Sequence, residues 1–241
     1  MQPPRTWDEN AILQALAGDG QALRPHLKPM ALQQNAILHE AGAEIRQVCF
    51  PVSGMVSLLT VTRSGEAIET GIIGKEGVVC GWPDGDGWQA FGRAIVQIPG
   101  SALQVASGEF LRALDASARL RERVHEYQSF MLLQAQQSAA CHALHSVEQR
   151  LCRWLLQSQD VVGSEIVPLT QEFLSQMLGV QRSSVSLAAL RLQELGLIKY
   201  ARGRLQILDR AGLEKCACEC YDVVRTHLER TAAQAQTPRR L

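Results

Sequence analysis

The sequence lacks several features that would assign it to a common class of protein. No uninterrupted apolar run approaches the roughly 18 residues of a membrane span, so no association with a membrane is expected. Residues 1–8 lead into no apolar stretch, which predicts that there is no secretory signal and that the protein is cytoplasmic. The seven cysteines are accordingly expected to be reduced thiols.

Catalytic signatures are missing as well. The chain contains no GxSxG, HExxH, phosphate-binding P-loop or dinucleotide-binding glycine triplet, so it is not expected to be an enzyme. Residues 84–87 resemble the start of a calcium loop, but Ile95 stands at the twelfth position, where such a loop needs a carboxylate. A simple turn is the better interpretation of that segment.

Net charge is also absent, because 24 basic residues balance 24 acidic ones. The zero hides an asymmetry: residues 1–145 carry a charge of −3 and residues 146–241 a charge of +3. From Arg182 to Arg204, five basic residues and one acidic residue concentrate a charge of +4 in 23 positions. Such a concentration is typical of a phosphate-binding surface and indicates a nucleic-acid partner for the C-terminal half.

The distribution of glycine predicts an α+β chain. Short β-branched runs between glycine-containing turns, from Leu32 to Val105, favour a compact sandwich or barrel. Between Glu109 and Asp160 there is neither glycine nor proline, which predicts long helices. A break near His145-Ser146 is expected to separate them.

The long helical stretch carries a stripe of residues at alternating three- and four-residue steps, which is typical of a coiled-coil-like seam. We expect a dimer helix, because the stripe is longer than an average helix. The alternative is a helix that lies on the core of its own domain. The predicted seam residues are Leu120, Val124, Tyr127 and Met131.

Residues 169–195 have the pattern of a helix-turn-helix. Thr170 is the expected N-cap of the first helix, Gly179 supplies the left-handed residue that ends it, and the second helix begins around Arg182. Two short strands around the basic turn at residues 202–204 add a wing. The local positive charge favours DNA binding over the solvated basic face of an ordinary helical domain.

A sandwich, a long helix and a winged helix-turn-helix in this order resemble the Crp/Fnr superfamily of bacterial transcription regulators. The resemblance rests on residues 50–57, 71–77, 147–150 and 169–208. It implies a homodimer that binds a palindromic site in double-stranded DNA, with RNA polymerase as a further partner if the protein is an activator.

The same resemblance implies that the chain is divided into three parts. These are a cyclic-nucleotide-binding-like β-roll of the double-stranded jelly-roll type at residues 1–112, a dimerisation helix at 113–145 and a winged helix-turn-helix DNA-binding domain at 146–241. A signal at the β-roll or the seam would rotate the DNA-binding domain about His145-Ser146.

The roles of recognition-helix residues in the family can be assigned to this chain only at positions where the residues match. Where the family has Arg-Glu-Thr-Val/Ile-x-Arg, this chain keeps Arg182 but has Ser183 for the glutamate and Leu187 for the second arginine. The usual half-site of the family is therefore not expected. The predicted base contacts are Arg182, Ser183 and Ser186, and the predicted backbone contacts are Thr170, Gln181, Ser184, Arg191, Lys199, Arg202 and Arg204.

The β-roll motifs depart from those of nucleotide-binding members. Lys75 interrupts the expected Gly-Glu in residues 74–77, and Arg93 is shifted by one position from the expected Arg-Ser/Thr-Ala. A shift of one residue on a strand turns a side chain to the opposite face of the sheet. The sequence therefore disfavours cyclic nucleotide binding and predicts no cofactor, with Glu76 and Arg93 as candidate effector-binding residues.

No metal site is expected from the cysteines. The N-terminal region offers only Cys49 and Cys80, too few for an iron–sulfur cluster. Cys216, Cys218 and Cys220 lie in a segment predicted to be helical, where residues two apart diverge by about 200° and would not converge on one ion.

A last stripe, formed by Cys141, His145, Glu148 and Cys152, has metal-ligand spacing but coincides with the predicted seam. Two alternatives to a DNA-binding regulator of this type stay open. One is a ligand-binding or scaffold module whose winged domain binds protein, and the other is a thiol- or metal-based redox-sensing regulator.

Overall fold

The computed structural model describes residues 7–16, 23–81, 88–201 and 203–236, and these form the α+β architecture predicted from the sequence. A short helix and a five-stranded sheet come first, two helices follow, and a mostly helical unit ends the chain. The first elements are α1 (Ala11–Gln14), β1 (Lys28–Leu32), β2 (Ile37–His39), β3 (Gln47–Val61), β4 (Ala67–Ile73) and β5 (Arg93–Ala106). The helices that follow are α2 (Ser107–Ala116), α3 (Ala118–Leu144) and α4 (Val147–Val162). The last elements are β6 (Ile166–Pro168), α5 (Gln171–Leu178), α6 (Arg182–Glu194), β7 (Ile198–Ala201), β8 (Arg204–Ile207), α7 (Arg210–Cys216) and α8 (Cys220–Gln236).

The N-terminal sheet is antiparallel and is ordered β1-β5-β3-β4, with β2 also paired to β5. Strands β3 and β5 are long and pair with several shifts of register, one of them between Ser53 and Met55. Gly54 lies in that irregular segment at φ +82°, and a Cβ on it would approach the carbonyl oxygen of Ile98 to 2.5 Å. Glycine is therefore required where the two strands come closest.

Helix α3 packs against the sheet of its own chain. Leu120, Val124 and Tyr127 are 1%, 4% and 4% exposed, and Met131 contacts the same core. The stripe predicted as a dimer seam is thus buried within one chain, as in the alternative arrangement, and does not offer an exposed seam. An apolar stripe specifies that it must be covered but not by what, so the sheet can cover it as well as a second helix.

The opposite side of α3 is exposed and also follows three- and four-residue steps, a spacing that suits helix pairing. It includes Leu132, which is 57% exposed. We call it the outer stripe of α3, and it consists of His125, Ser129, Leu132, Gln136, Ala139 and Ala143.

Helix α4 connects the C-terminal unit to the sheet. It begins directly after the predicted break, because Ser146 and Gln149 form a capping box that starts a new helix. Trp154 is fully buried among apolar side chains of β3, β4 and β5, and its indole donates a 2.8 Å hydrogen bond to the buried carboxyl of Glu69 on β4. The sheet and the C-terminal unit therefore share one core.

The predicted helix near the C-terminus is interrupted. Helix α7 ends because Ala217 has an extended backbone (φ −70°, ψ 155°), and α8 starts afresh at Cys220. Helix α8 then lies along α3, where the His227 and Phe130 rings stack at 6.2 Å. Within the described part of the chain, no helix is long and apolar enough to cross a membrane.

Candidate nucleic-acid interface and ligand sites

Helices α5 and α6 form the helix-turn-helix predicted from the sequence. The Thr170 hydroxyl accepts a hydrogen bond from the Phe173 amide at 3.2 Å, which caps the start of α5. Gly179 ends the helix at φ +60°, in the left-handed conformation. A Cβ there would meet the Ile68 side chain of β4 at 2.6 Å, so the turn also packs closely on the sheet.

The two faces of α6 differ sharply. Its inner face buries Val185, Ala188, Ala189 and Leu192. At 100° per residue, the side chains of Ser183, Leu187 and Leu190 point to the opposite side, where the two leucines are 70% and 51% exposed. Arg182 and Arg191, nine residues apart, flank this outer face on opposite sides.

The predicted base contacts do not all lie on the outer face. Arg182 and Ser183 are exposed at the start of α6. Ser186 is half-buried, and its hydroxyl donates hydrogen bonds to the side-chain oxygen of Gln171 at 2.9 Å and the carbonyl of Arg182 at 3.0 Å. Ser186 therefore holds α6 against α5 in this structure.

The predicted backbone contacts differ in their surroundings. Thr170, Gln181, Lys199 and Arg204 are exposed, and Ser184 is half-buried. Arg191 is exposed but makes an ion pair with Glu148 on α4, with 3.2 Å between Nε and the carboxylate oxygen. Arg202 lies outside the described residues.

Strands β7 and β8 pair as a hairpin, and β6 adds a third strand beside β8. The Tyr200 hydroxyl donates to the Leu169 carbonyl at 3.0 Å, and the Gln193 side chain accepts from the Tyr200 amide at 2.9 Å. These bonds tie the wing to α6 and to the residue that precedes the N-cap of α5. Lys199 and Arg204 therefore have a fixed position relative to α6.

The candidate effector residues Glu76 and Arg93 do not share a cavity. Arg93 makes an ion pair with Glu40 at 2.8 Å. Glu76 accepts a hydrogen bond from the Gly74 amide at 2.6 Å. It lines a cavity of about 330 Å³, which Arg210 also lines and Arg93 does not. Burial raises the pKa of the Glu76 carboxyl above its ordinary value.

A second cavity, of about 310 Å³, lies between the sheet and α3. Its walls are almost entirely apolar, and its described lining residues include the titratable His39, Cys80 and Tyr127 but no aspartate, glutamate, lysine or arginine. Met131 and Leu132 of α3 contribute to its lining. A ligand in this cavity would touch both the sheet and the helix.

Four metal-ligand side chains meet where α3 ends and α8 begins. Ligand atoms of Cys141, His145, Cys218 and Cys220 all lie within 4.8 Å of one another, and we call this group the thiol–imidazole cluster. The prediction that no cofactor binds is corrected by this finding, because such a group could hold a metal ion. The expectation that Cys218 and Cys220 diverge was wrong because the helix breaks at Ala217.

Only part of the predicted stripe contributes to this cluster. Cys141 and His145 belong to it, whereas Glu148 pairs with Arg191 and Cys152 is buried in the core between the sheet and α4. The Cys141 and Cys218 sulfurs are 3.5 Å apart. That interaction lowers the pKa of the Cys141 thiol and raises the pKa of the Cys218 thiol.

Two functional features were missed in the sequence. No DNA contact was assigned to Leu187 from the sequence, although it lies about 200° around the helix from the inner residue Val185, which places it on the outer face. The metal-ligand spacing of Cys141 and His145 was visible in the sequence, but no local signal showed that Cys218 would join them, because Cys141 and Cys218 are 77 positions apart.

Comparison with known proteins gives the same picture of the C-terminal unit. Residues 149–216 match the Crp-like helix-turn-helix domain. No curated protein matches the chain significantly.

Solved structures share the fold at low sequence identity. FixK2 from Bradyrhizobium japonicum aligns with a TM-score of 0.67 at 14% identity, over 80% of this chain and 98% of its own. A crp/fnr-family regulator from Eubacterium rectale, described as putative, aligns at 0.65 and 16% identity, over 82% and 93%. The c-di-GMP-responsive global regulator CLP of Xanthomonas campestris aligns at 0.65 and 14% identity, over 80% and 99%.

Proposed function

Since residues 149–216 are a Crp-like helix-turn-helix domain in a chain with the Crp/Fnr regulator fold, we propose that the protein is a homodimeric, sequence-specific DNA-binding transcription regulator. One observation carries this proposal. Helix α6 is locked by its buried inner face, and it presents an outer face that begins with Arg182 and lies beside the basic wing.

The outer face of α6 enters the major groove in this proposal. Arg182, at the start of the helix, can donate two hydrogen bonds to the O6 and N7 atoms of a guanine. Ser183 is a second, weaker polar contact, and Leu187 can pack on thymine methyl groups where the family pattern has an arginine. Ser186 positions α6 through Gln171 instead of reading a base.

Side chains that border α6 contact the phosphate groups of the DNA in this proposal. The exposed side chains of Thr170, Gln181, Lys199 and Arg204 border the helix, and Ser184, Arg191 and Arg202 complete the proposed set. Arg191 would have to exchange Glu148 for a phosphate. Basic contacts of this type supply affinity without sequence preference and make it dependent on salt.

Dimerisation uses the outer stripe of α3 in this proposal. The stripe is exposed, has helix-pairing steps and contains small residues that allow close approach of a second helix. A ligand in the 310 Å³ cavity would touch Leu132, which belongs to this stripe, and its neighbour Met131. It could therefore bias the dimer helix and, through the hinge at His145-Ser146, the DNA-binding unit.

Selection of binding sites from random duplex DNA, followed by fluorescence anisotropy at several salt concentrations, tests the proposal. We expect a palindromic consensus and an affinity that falls steeply as salt rises. Arg182→Ala should weaken binding to the selected site by roughly 5- to 150-fold, equivalent to about 1–3 kcal/mol.

Arg112→Ala is the matched control, because Arg112 is an exposed arginine on α2 of the N-terminal unit. It should leave DNA affinity unchanged. The exposed leucines of α6 would also suit a protein partner, which is the alternative function. Salt-insensitive binding and no effect of Arg182→Ala would refute the regulator and favour that alternative.

A further inference from the structure

The thiol–imidazole cluster has the dimensions of a zinc site. In a tetrahedral site with Zn–S near 2.3 Å and Zn–N near 2.0 Å, sulfur atoms lie about 3.8 Å apart and a sulfur and a nitrogen about 3.5 Å apart. The Cys141 and Cys218 sulfurs are separated by 3.5 Å, and the Cys220 sulfur lies 3.5 Å from Nδ1 of His145. Small side-chain adjustments would bring all four atoms, already within 4.8 Å of one another, onto one ion.

Groups around the cluster orient its members as the outer shell of a metal site does. The Nε2 atom of His145 lies 3.2 Å from the carboxylate of Glu219, which leaves Nδ1 facing Cys220. A carboxylate on the far nitrogen is the usual partner of a metal-bound histidine. The Gln137 amide also donates to the Cys220 sulfur at 3.1 Å.

Two buried positive charges near the cluster favour the binding of a negatively charged group there. Arg150 and Arg153 are 6% and 4% exposed, and their Nε atoms have no hydrogen-bond partner among the described residues. Both guanidinium groups interact electrostatically with Cys141. Arg153 also lies near the buried carboxyl of Glu69, but burial raises the pKa of that carboxyl, so it offsets the two guanidinium charges only in part. An uncompensated buried guanidinium is costly. A Zn²⁺ ion bound by three thiolates and a neutral imidazole has a net charge of −1, which would offset this burial.

The coverage of the cluster distinguishes a structural site from a catalytic one. The three cysteines are buried, and four protein ligands leave no position for water or substrate. Cys218 and Cys220 also follow residue 216, where the Crp-like domain match ends, so the cluster depends on the added helix α8.

We propose that Cys141, His145, Cys218 and Cys220 bind one structural Zn²⁺ ion, which fastens the start of α8 to the end of α3. The site joins four ligands from two segments that are distant in the chain, beside the junction of α3 and α4. Its existence does not depend on DNA binding. Soft thiolate ligands in a closed tetrahedral set select zinc over magnesium, calcium or manganese.

Metal analysis of the full chain, purified under reducing conditions without chelator, tests the site. We expect close to one zinc per chain in the wild type and close to none in Cys218→Ser or Cys141→Ser. Cys216→Ser is the matched control and should keep the zinc, because Cys216 lies two residues from Cys218 but outside the cluster.

A spectroscopic measurement keeps the test independent of whether the variants fold. Zinc is removed from the wild type, and Co²⁺ is added as the probe. We expect the strong visible absorption of tetrahedral, thiolate-bound Co²⁺, which saturates at one ion per chain and disappears when Zn²⁺ is added. Octahedral cobalt absorption or saturation at more than one ion would overturn the proposal.

Two further outcomes would also overturn the zinc site. One is a zinc content that Cys218→Ser leaves unchanged. The other is a metal-free protein that yields two fewer thiols than the seven cysteines of the sequence under denaturing conditions. Peptide mapping of the disulfide to Cys141 and Cys218 would then identify these two cysteines as a redox-active pair instead.

Discussion

Replacement of Glu69 by glutamine should make the protein more stable at neutral and alkaline pH. Glu69 lies on β4 and is 4% exposed, where it accepts hydrogen bonds from Ser57 Oγ at 2.5 Å and the Trp154 indole at 2.8 Å. Burial raises its pKa from 4.5 to about 7, although both hydrogen bonds and the positive charge of Arg153 oppose the rise. The folded protein therefore resists ionising this carboxyl group.

The magnitude follows from the difference in pKa between the folded and unfolded chain. Below pH 4.5 the carboxyl is protonated in both states and has no effect on stability. As pH rises towards 7 the unfolded chain loses the proton first, so stability falls. At about 1.4 kcal/mol per pKa unit, the full loss is about 3 kcal/mol. In Glu69→Gln the amide has no proton to lose, and it can still accept from Trp154 and donate to Ser57.

Urea unfolding of both proteins between pH 4.5 and 8.5, followed by tryptophan fluorescence, measures this effect. The two unfolding free energies should agree near pH 4.5, and the variant should exceed the wild type by about 3 kcal/mol above pH 7.5. Glu66→Gln is the control, because Glu66 is exposed three residues away. Parallel pH profiles for Glu69→Gln and the wild type would refute the reasoning.

Two further predictions concern backbone conformation and assembly. Gly163 and Gly179 both cap helices with positive φ, but a Cβ meets nothing within 4 Å at Gly163 and meets Ile68 at 2.6 Å at Gly179. Gly163→Ala should cost about 1 kcal/mol in urea unfolding and Gly179→Ala about 1–3 kcal/mol more, and equal losses would contradict this. Leu132→Asp should convert the proposed dimer to a monomer in light scattering, whereas Leu111→Asp on α2 should not. A Leu132→Asp dimer would show that the outer stripe is not the interface.

Local signals explain why much of the C-terminal unit was predictable. The N-cap Thr170, the left-handed Gly179 and the apolar periodicity of α5 and α6 act over one or two helical turns, so they leave a readable pattern. The break after His145 was predictable for the same reason, since the Ser146 capping box involves residues three apart.

The direction in which α3 faces was not predictable in this way. An apolar stripe that contains Leu120 and Val124 gains the same free energy whether a sheet or a second helix removes it from water. Only the packing of the whole chain shows that the sheet covers it and that Leu132 lies on the free side. The separation of Glu76 from Arg93 likewise depends on tertiary packing, since Glu76 lines the 330 Å³ cavity while Arg93 pairs with Glu40.

The sequence by itself determined the α+β class, the helix-turn-helix with its basic wing and the position of the break between α3 and α4, because these depend on propensities and charges of neighbouring residues. The tertiary structure alone decided which side of α3 is free and that Cys141 meets Cys218. The contact between Cys141 and Cys218 joins residues that are 77 positions apart, and it forms only when α8 folds back along α3. No local preference encodes such a return of the chain.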